Sequence, residues 1–293
     1  FMQSLGFSAK NTYNRYLFEE SSPVSNLFLG LKYMLERDGK DKASTYFAEV
    51  NRFGDTVLLE NQAYLPLGFL ANSQLADLEF NVTDNGFDFQ NRLFSAATGV
   101  NGQVWHRIEN FRIFGDGVNV FEENGQGYCK YDSTVDKGDL TYSFTAETDG
   151  FFCVQLDLPK RNDFYLSVNG VELYKEKISL QQMFAGKDVK AGDEILVRIV
   201  CPDGESSSAN VTAAVLDANV FNQGYEVLNA STWNLTKFRS TRLEGTIDCD
   251  RDGLLYTSIP QNGNWHVFVD GKEADTVKVG NCMAAVPLSA GTH

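Results

Sequence analysis

Two stretches of the sequence, "LPKRNDFYLSVNG" (158–170) and "IPQNGNWHVFVDG" (259–271), align over their whole length without a gap. In each stretch a proline ends an apolar run, a loop follows, and an alternating strand finishes on Asn-Gly or Asp-Gly. Alternation with a period of two predicts a strand with one buried face, and the closing dipeptide favours a tight β-hairpin. The pair therefore predicts that one β-rich unit occurs twice in the chain.

The similarity continues on both sides of these stretches. Upstream, "TDGFFCVQLD" (148–157) corresponds to "RDGLLYTS" (251–258), and downstream "VKAGDE" (189–194) corresponds to "LSAGTH" (288–293). Each copy thus begins at Asp-Gly and closes at an Ala-Gly turn. A strongly apolar strand follows that turn in the first copy, so the repeat predicts that the second unit is truncated before its closing strand.

The predicted fold is mainly β with minor α. We expect two repeated antiparallel β-sandwich or jelly-roll-like units, preceded by a small α/β segment. The expected divisions are an N-terminal segment with a hairpin (1–72), a first sandwich with a helical insertion (73–222), and a linking helix with the second sandwich (223–293).

Local patterns fill in this outline. The run 46–61 predicts a hairpin around Phe53-Gly54-Asp55, and 63–72 predicts an irregular apolar segment after its proline. Helical spacing predicts helices over 86–99, capped by Asp84 or Asn85 and stopped at Gly99, and over 219–233. The run 24–37 fits a short helix or a buried strand equally well.

Net charge limits the partners of the chain. The formal net charge is −14 and the pI about 4.6. Such a surface repels phosphate backbones and anionic headgroups, which disfavours nucleic acid and peripheral membrane binding. Apolar stretches such as "LFLGLKYML" (27–35) are far shorter than the roughly 20 residues of a transmembrane helix, so we expect that this chain does not span a membrane.

The sequence predicts no metal and no cofactor. The stretch "DCDRDGLL" (248–255) begins like a calcium loop, but Ile259 stands where that loop needs a bidentate Glu, so an acidic turn is favoured. The five cysteines lack CxxC spacing, and we expect them to be reduced and mostly buried.

Four segments in their order along the chain resemble the YfhO family of polytopic bacterial membrane proteins. They are "LFLGLKYMLER" (27–37), "VLLENQAYLPLGFL" (57–70), "LLYTSIPQNGNWHVFVDGKEA" (254–274) and "VPLSAGTH" (286–293). The resemblance is dense in the last 40 residues, where Gly-x-Trp and Val-Asp-Gly occur together.

The resemblance implies a location and a function. Members of the family are similar to membrane-embedded glycosyltransferases that use lipid-linked sugars, and some are implicated in glycosylating lipoteichoic acid in Gram-positive bacteria. This chain would be an extracellular region of such a multi-pass protein, at the outer face of the cell membrane, that recognises or positions the polymer acceptor. Their catalytic acids lie upstream, so no catalytic residue is expected here. A free-standing carbohydrate-binding or adhesion module is the alternative.

Aromatic side chains next to polar ones suggest where a glycan would bind. Trp105, His106, Trp233 and Trp265 are the candidate carbohydrate-binding residues, because indole faces stack on sugar rings. Core packing is the competing interpretation for each tryptophan. For Trp265, which the repeat aligns with Phe164, core packing is favoured.

Overall fold

The computed structural model describes residues 1–10, 15–17, 20–37, 43–81 and 84–293. In these residues strands far outnumber helices, so the predicted class, mainly β with minor α, is confirmed. The α-helices there are Pro23–Leu29 (α1), Gly86–Thr98 (α2) and Ala218–Asn229 (α3), and Ser73–Asp77 forms a 3₁₀-helix.

The strands fall into three groups along the chain. The N-terminal group is Ser8–Lys10 (β1), Arg15–Leu17 (β2), Tyr33–Glu36 (β3), Phe47–Phe53 (β4), Thr56–Asn61 (β5) and Gly68–Ala71 (β6). The middle group is Trp105–Arg107 (β7), Phe111–Asp116 (β8), Val118–Phe121 (β9), Tyr128–Ser133 (β10), Gly138–Thr145 (β11), Gly150–Val168 (β12), Val171–Val189 (β13), Glu194–Cys201 (β14) and Ser206–Leu216 (β15). The C-terminal group is Asn234–Arg239 (β16), Arg242–Thr246 (β17), Asp248–Cys249 (β18), Gly253–Pro260 (β19), Val267–Val269 (β20), Lys272–Ala274 (β21), Val277–Val279 (β22), Met283–Leu288 (β23) and Gly291–Thr292 (β24).

The middle group folds into a sandwich because β12 passes from one layer to the other. Residues 152–157 of β12 pair with β15, and residues 163–168 pair with β14. The irregularity between Leu158 and Asn162 in its pairing with β13 marks the passage. We call β8, β11, β14 and the second half of β12 the open layer. The covered layer is the first half of β12 with β15, β10 and β9.

A single apolar core lies between the two layers. In β14 buried and half-exposed residues alternate strictly, which leaves one face for the core and one for water. The Tyr142 hydroxyl of the open layer contacts the covered layer at two points. It donates to the Ala209 carbonyl at 3.3 Å and lies 3.1 Å from the Cys129 sulfur.

The outer side of the covered layer packs against the rest of the molecule. Phe151 and Cys153 of β12 belong to a second core that also contains residues of α1, α2 and α3. The start of α2 is fixed on this layer, because the Gly86 amide donates to the Gln155 side chain at 2.7 Å. The outer side of the open layer has no such cover in the described residues, although Thr141 and Ser143 of β11 are buried among the neighbouring side chains.

The C-terminal group forms a smaller unit around a core of its own. A sheet of order β22-β23-β19-β6 and the hairpin β20–β21 pack around six buried side chains. These are Leu70, Ile247, Cys249, Leu255, Val286 and Leu288. All five cysteines of the chain are free, and Cys282 alone among them is not fully buried.

The prediction of an irregular segment over 63–72 is wrong. Residues 68–71 form strand β6, which pairs with β19. All four residues are buried, because Phe69 and Ala71 face the large core while Leu70 faces the small one. A strand that is buried on both sides shows no alternation, so residues 68–71 carry no periodic strand signal.

The predicted repeat is confirmed at the level of single hydrogen bonds. In the first copy Asp149 accepts from the Ala191 amide at 2.9 Å, and in the second Asp252 accepts from the Ala290 amide at 2.8 Å. The hairpin turns also match, since Asn169 and Asp270 have φ values of 49° and 51°. Both turns therefore have the left-handed conformation that the Asn-Gly and Asp-Gly signal predicts.

Several local predictions are also confirmed. Helix α2 begins after Asn85, whose side chain accepts from the Asp88 amide, and it ends at Gly99 in the left-handed conformation. The ambiguous run 24–37 contains a short helix, α1, that ends at Gly30. The strand β3 follows it, but it is not the buried strand of the other alternative, because Tyr33 and Leu35 are exposed. The expected divisions after residues 72 and 222 stay predictions.

Candidate glycan-binding site

A row of five side chains crosses the outer face of the open layer. The strand register places Thr141 opposite both Phe114 and Arg198, and places Tyr165 opposite both Arg198 and Lys175. Directly opposed residues lie on the same face of a sheet, so the row runs from Phe114 to Lys175 across five neighbouring strands. We call these five residues the open-layer row.

Arg198 and Tyr165 form the centre of the row. The guanidinium carbon of Arg198 lies 4.0 Å from the centroid of the Tyr165 ring, and the Lys175 ammonium lies 5.5 Å from it. Asp139 fixes the guanidinium from the other side, since Nη1 donates to its two carboxylate oxygens at 2.9 and 3.1 Å. Arg198 is thus held in one orientation, and in the described residues no group accepts from its Nε or Nη2.

Phe114 supplies a free aromatic face at the end of the row. Its side chain is 48% exposed, whereas the Tyr165 ring is half-buried under its cationic neighbours. An exposed phenyl ring offers a flat apolar surface to the C–H face of a sugar. The row therefore combines one stacking surface with oriented hydrogen-bond donors.

The charges around the row are balanced. Arg198 pairs with Asp139, and in the next row Lys177 lies 3.4 Å from Asp163. Exposed pairs of this kind contribute little to stability, but they leave the face without a strong field of either sign. On a chain of net charge −14, this suits a ligand that is bound through its sugar rings and hydroxyl groups rather than through its charge.

The proposed role of Trp105 in sugar binding is excluded by its burial. Trp105 is fully buried, its ring centroid lies 5.3 Å from that of Phe87, and its indole N–H donates to Gln90 at 2.8 Å. The helix α2 covers β7 at this point, so the ring has no face for a ligand. Of its two competing interpretations, core packing is the correct one.

His106 is exposed but lies away from the open-layer row. Its Nε2 is 3.3 Å from the Asp217 carboxylate, which also caps α3. Its strand, β7, extends the covered layer beside β15, on the opposite layer of the sandwich from the row. The structure does not bring His106 together with the row.

Trp233 and Trp265 both lie in the smaller unit and are half-buried. Trp233 packs on the small core, and its amide donates to the Gly68 carbonyl at 2.9 Å. Trp265 lies between the end of β19 at Pro260 and the start of β20 at Val267, where the second copy of the repeat has no strand. The prediction that Trp265 packs in the core like Phe164 is wrong, because Phe164 is fully buried inside a continuous strand whereas Trp265 is not in a strand.

A second cluster resembles a catalytic triad in its residue types. His293 lies with Nδ1 2.8 Å from Asp270 and with Nε2 3.4 Å from the Ser289 hydroxyl. However, Nε2 is nearer, at 3.0 Å, to the Ser289 carbonyl oxygen, which can only accept. Because both ring nitrogens face acceptors, the hydrogen bonds to Asp270 and Ser289 raise the pKa of His293. Because Nε2 is turned to the Ser289 carbonyl, it is not placed to take the proton of the Ser289 hydroxyl, so the geometry fits a structural clamp rather than a nucleophilic site.

The acidic turn that resembles a calcium loop uses its carboxylates within the chain. Asp248 accepts from the Thr292 hydroxyl at 3.0 Å, Asp250 pairs with Arg251 at 2.8 Å, and Asp252 caps the Ala290 amide. Each carboxylate has its own partner. In the part of the chain that the structure describes, no group of three His, Cys, Asp or Glu side chains is placed to hold a metal ion.

The open-layer row contains none of the candidate residues chosen by type, which are tryptophans and a histidine. The signal was present in "FYLSV" (164–168) and "EILVRIV" (194–200), whose alternation assigns Tyr165 and Arg198 to the same solvent face. That Arg198 is next to Tyr165 depends on the order of the strands in the sheet. No local pattern contains this order.

Solved structures with some likeness to this chain include several carbohydrate-binding modules. A family 35 module from Clostridium thermocellum shares 11% identity at a TM-score of 0.28, over 39% of this chain and 98% of its own. The module TmCBM61, in complex with β-1,4-galactotriose, shares 15% sequence identity at a TM-score of 0.28, over 38% of this chain and 90% of its own. A xylan-binding module from Roseburia intestinalis shares 12% sequence identity at a TM-score of 0.28, over 40% of this chain and 96% of its own. Likeness at this level carries no argument about function. Among curated proteins, no sequence matches this chain.

A family model decides the relationship. The model described as "Bacterial membrane protein YfhO" matches residues 1–293, the whole chain. The chain belongs to the YfhO family. The resemblance predicted from four segments is therefore confirmed.

In this YfhO chain the four segments come together in space. They include α1, β3, β5, β6, β19 and β23, and β6, β19 and β23 are neighbours in the sheet of the smaller unit. The Tyr256 hydroxyl of β19 donates to the Phe28 carbonyl of α1 at 3.1 Å. The four segments therefore belong to one packing unit, and the open-layer row lies outside them. None of the helices in the described residues is long and apolar enough to cross a bilayer.

Proposed function

We propose that this chain is an extracellular region of a multi-pass YfhO membrane protein that resembles glycosyltransferases using lipid-linked sugars. Its role is to recognise or position the cell-surface polymer that the parent protein glycosylates, a glycan or a teichoic acid. Family membership supports the membrane-protein parent. The observation that carries the binding role is the open-layer row, an aromatic and polar surface on a sheet that the described residues leave uncovered.

Each part of the row has a chemical role toward a sugar. Phe114 stacks on the apolar face of a ring, and Arg198 donates from its two unpaired positions to hydroxyl groups. The clamp formed by Asp139 and Tyr165 holds the guanidinium before a ligand arrives. Binding therefore loses little side-chain freedom, which favours affinity.

The length of the row favours a polymer over a single sugar. Phe114 and Tyr165 are three strands apart, which corresponds to about 14 Å at the usual spacing of neighbouring strands. One pyranose ring is too short to touch both. A chain of several rings that crosses the strands contacts the whole row.

We assign no catalytic role to this chain. The clamp around His293 cannot activate Ser289, and His106 and His266 each lie beside a carboxylate, Asp217 and Glu273 respectively. The transfer reaction belongs to the parent protein, near the membrane where a lipid-linked donor is held.

A free-standing carbohydrate-binding or adhesion module remains the alternative, since it would use the same row. The sequence of the complete gene distinguishes these two proposals. Many apolar spans of about 20 residues encoded in the same reading frame support the membrane transferase, and their absence supports the free-standing module.

Titration calorimetry with soluble ligands tests the binding role. The ligands are deacylated lipoteichoic acid and a panel of neutral oligosaccharides of increasing length. We expect weak binding that strengthens with chain length, and a loss of about tenfold, or ~1.4 kcal/mol, for Phe114→Ala and for Arg198→Lys. Phe121→Ala is the matched control, since this phenylalanine is exposed on β9 of the covered layer.

Two results would overturn the proposal. One is binding that survives both substitutions in the row. The other is turnover of a lipid-linked sugar by this chain alone, abolished by replacing one of its acidic residues.

A further inference from the structure

A second exposed surface lies on the three-stranded sheet β3-β5-β4. The inner face of this sheet holds Val57 and Leu59 in the large core. Its outer face carries Tyr33 and Leu35 of β3, Leu58 of β5 and Phe53 of β4, with Val50 in the bulge of β4. We call these five residues the outer apolar face.

The exposure of this face is concentrated rather than scattered. Of the eleven large apolar side chains that are exposed in the described residues, four are Tyr33, Leu35, Val50 and Phe53. Phe53, at the tip of the hairpin, is 67% exposed, and Leu35 is 58% exposed. Grouped apolar exposure on a small sheet indicates a contact surface, whereas single exposed side chains do not.

The charges around the face cancel. On this face and its rim the cations are Lys32 and Arg37, and the anions are Asp55 and Glu60. Lys32 lies 3.9 Å from Glu60. A neutral apolar face on a chain of net charge −14 is the part of its surface that a lipid headgroup layer repels least.

The residue types match those found at the boundary between lipid and water. Tyrosine, phenylalanine and leucine enter the headgroup region, while lysine extends its charge toward water along an apolar stem. The Lys32 ammonium lies 5.1 Å from the Tyr33 ring and 5.6 Å from the Tyr64 ring, so the cation and the aromatic rings form one cluster at the edge of the face.

We propose that the outer apolar face rests on the headgroup region of a bilayer, with the tip at Phe53 entering deepest. Membership in a family of membrane proteins supports lipid as the partner, because the parent protein holds this chain beside a bilayer. Tethering raises the local concentration of the chain at the membrane, so a small apolar face suffices. The expectation from net charge, that the chain avoids membranes, thus describes its surface as a whole and fails at this face.

A polarity-sensitive dye on vesicle-bound protein tests the proposal. The full chain is anchored by a polyhistidine tag to phosphatidylcholine vesicles that contain a nickel-chelating lipid. The dye is attached in separate variants to Asp55→Cys and to Asp203→Cys, two exposed turn positions next to glycines in different parts of the fold. The native thiols compete little, since four of the five are buried and burial raises the pKa of Cys153 and of Cys201.

The dye at position 55 should shift its emission to the blue on anchoring and be quenched by brominated lipid, while the dye at 203 should not. Adding Leu35→Ser and Phe53→Ser should abolish the shift and leave the melting temperature unchanged, because both side chains are exposed. No shift at 55, or an equal shift at both positions, would contradict the proposal. Dimerisation in sedimentation velocity that the two serine substitutions abolish would assign the face to a second copy and overturn it too.

Discussion

In the first copy of the repeat β12 and β13 run for 19 residues each, whereas in the second copy the matching chain leaves β19 at Pro260 and resumes only at Val267. The copies share their Asp-to-amide hydrogen bond and their left-handed turn. They differ in how far the hairpin extends. The unbroken β12 reaches both layers of a wide sandwich and places Tyr165 in the open-layer row, while the short hairpin β20–β21 covers only a small core.

The difference shows how one local motif can support two architectures. The turn chemistry fixes where each hairpin reverses, and the continuity of the strand fixes how wide a sheet it can join. In the first copy this produces the wide sheet that carries the open-layer row. In the second it produces a compact unit in which β6, β19 and β23 are neighbours.

The largest expected difference between the copies concerns aligned aromatic positions. Phe164→Ala removes a fully buried ring from the sandwich core and should cost about 3–5 kcal/mol of unfolding free energy. Trp265→Ala removes a half-buried ring and should cost less than half as much. Urea denaturation monitored by circular dichroism measures both, and equal losses would mean that the break in the second copy has no structural consequence.

The shared hydrogen bond should contribute similarly in the two copies. Asp149→Ala and Asp252→Ala each remove the acceptor for an Ala-Gly turn, and each should lower the melting temperature by a small and similar amount. Ser289→Ala, which leaves the Asp252 contact in place, is a control in the same turn. A loss in one copy alone would show that the two hydrogen bonds, although similar in geometry, do not stabilise the two copies equally.

The smallest effect is a dependence on pH that only the second copy should show. Asp270 and the Ser289 carbonyl raise the pKa of His293 in the folded chain, so the folded state binds the proton more tightly than the unfolded state does. This stabilisation is fully present below the unfolded pKa and is lost as the pH rises through the raised folded pKa. The first copy places Asn169 against Glu194 at the aligned positions, without a histidine.

Melting temperatures between pH 5.5 and pH 8.5 test this clamp. Asp270→Asn gives the second copy the residue of the first and should remove the part of the pH dependence that His293 contributes. His293→Gln should do the same. If the pH profile is unchanged in both variants, His293 does not hold the hairpin in the way the hydrogen bonds suggest.

Much of the fold was predictable because its signals are local. Asn85 and Gly99 bound α2, and the Asn-Gly and Asp-Gly dipeptides fix two hairpins, since capping and turn chemistry depend on neighbouring residues alone. The strand β6 was not predictable in this way. It is buried between two cores that form only after distant parts of the chain have met.

The candidate site was less predictable for the same reason. Alternation places Tyr165 and Arg198 on solvent faces of their strands, but only the strand order makes them neighbours. Trp105 is the opposite case, a candidate residue that cannot meet a ligand because α2 buries it. This burial depends on a helix that lies outside its own stretch of sequence. Residue type alone suggested tryptophans, and the three-dimensional arrangement favours Phe114 with Arg198.

The most direct test of the glycan-binding role is a map of backbone amide shifts in ¹H–¹⁵N spectra during titration with the longest oligosaccharide or deacylated lipoteichoic acid that binds. The open-layer row predicts that shifts concentrate in 112–116, 139–143, 163–167 and 196–200, on the outer face of the large sandwich. Shifts confined to the surroundings of Trp233 and Trp265 in the smaller unit would contradict it.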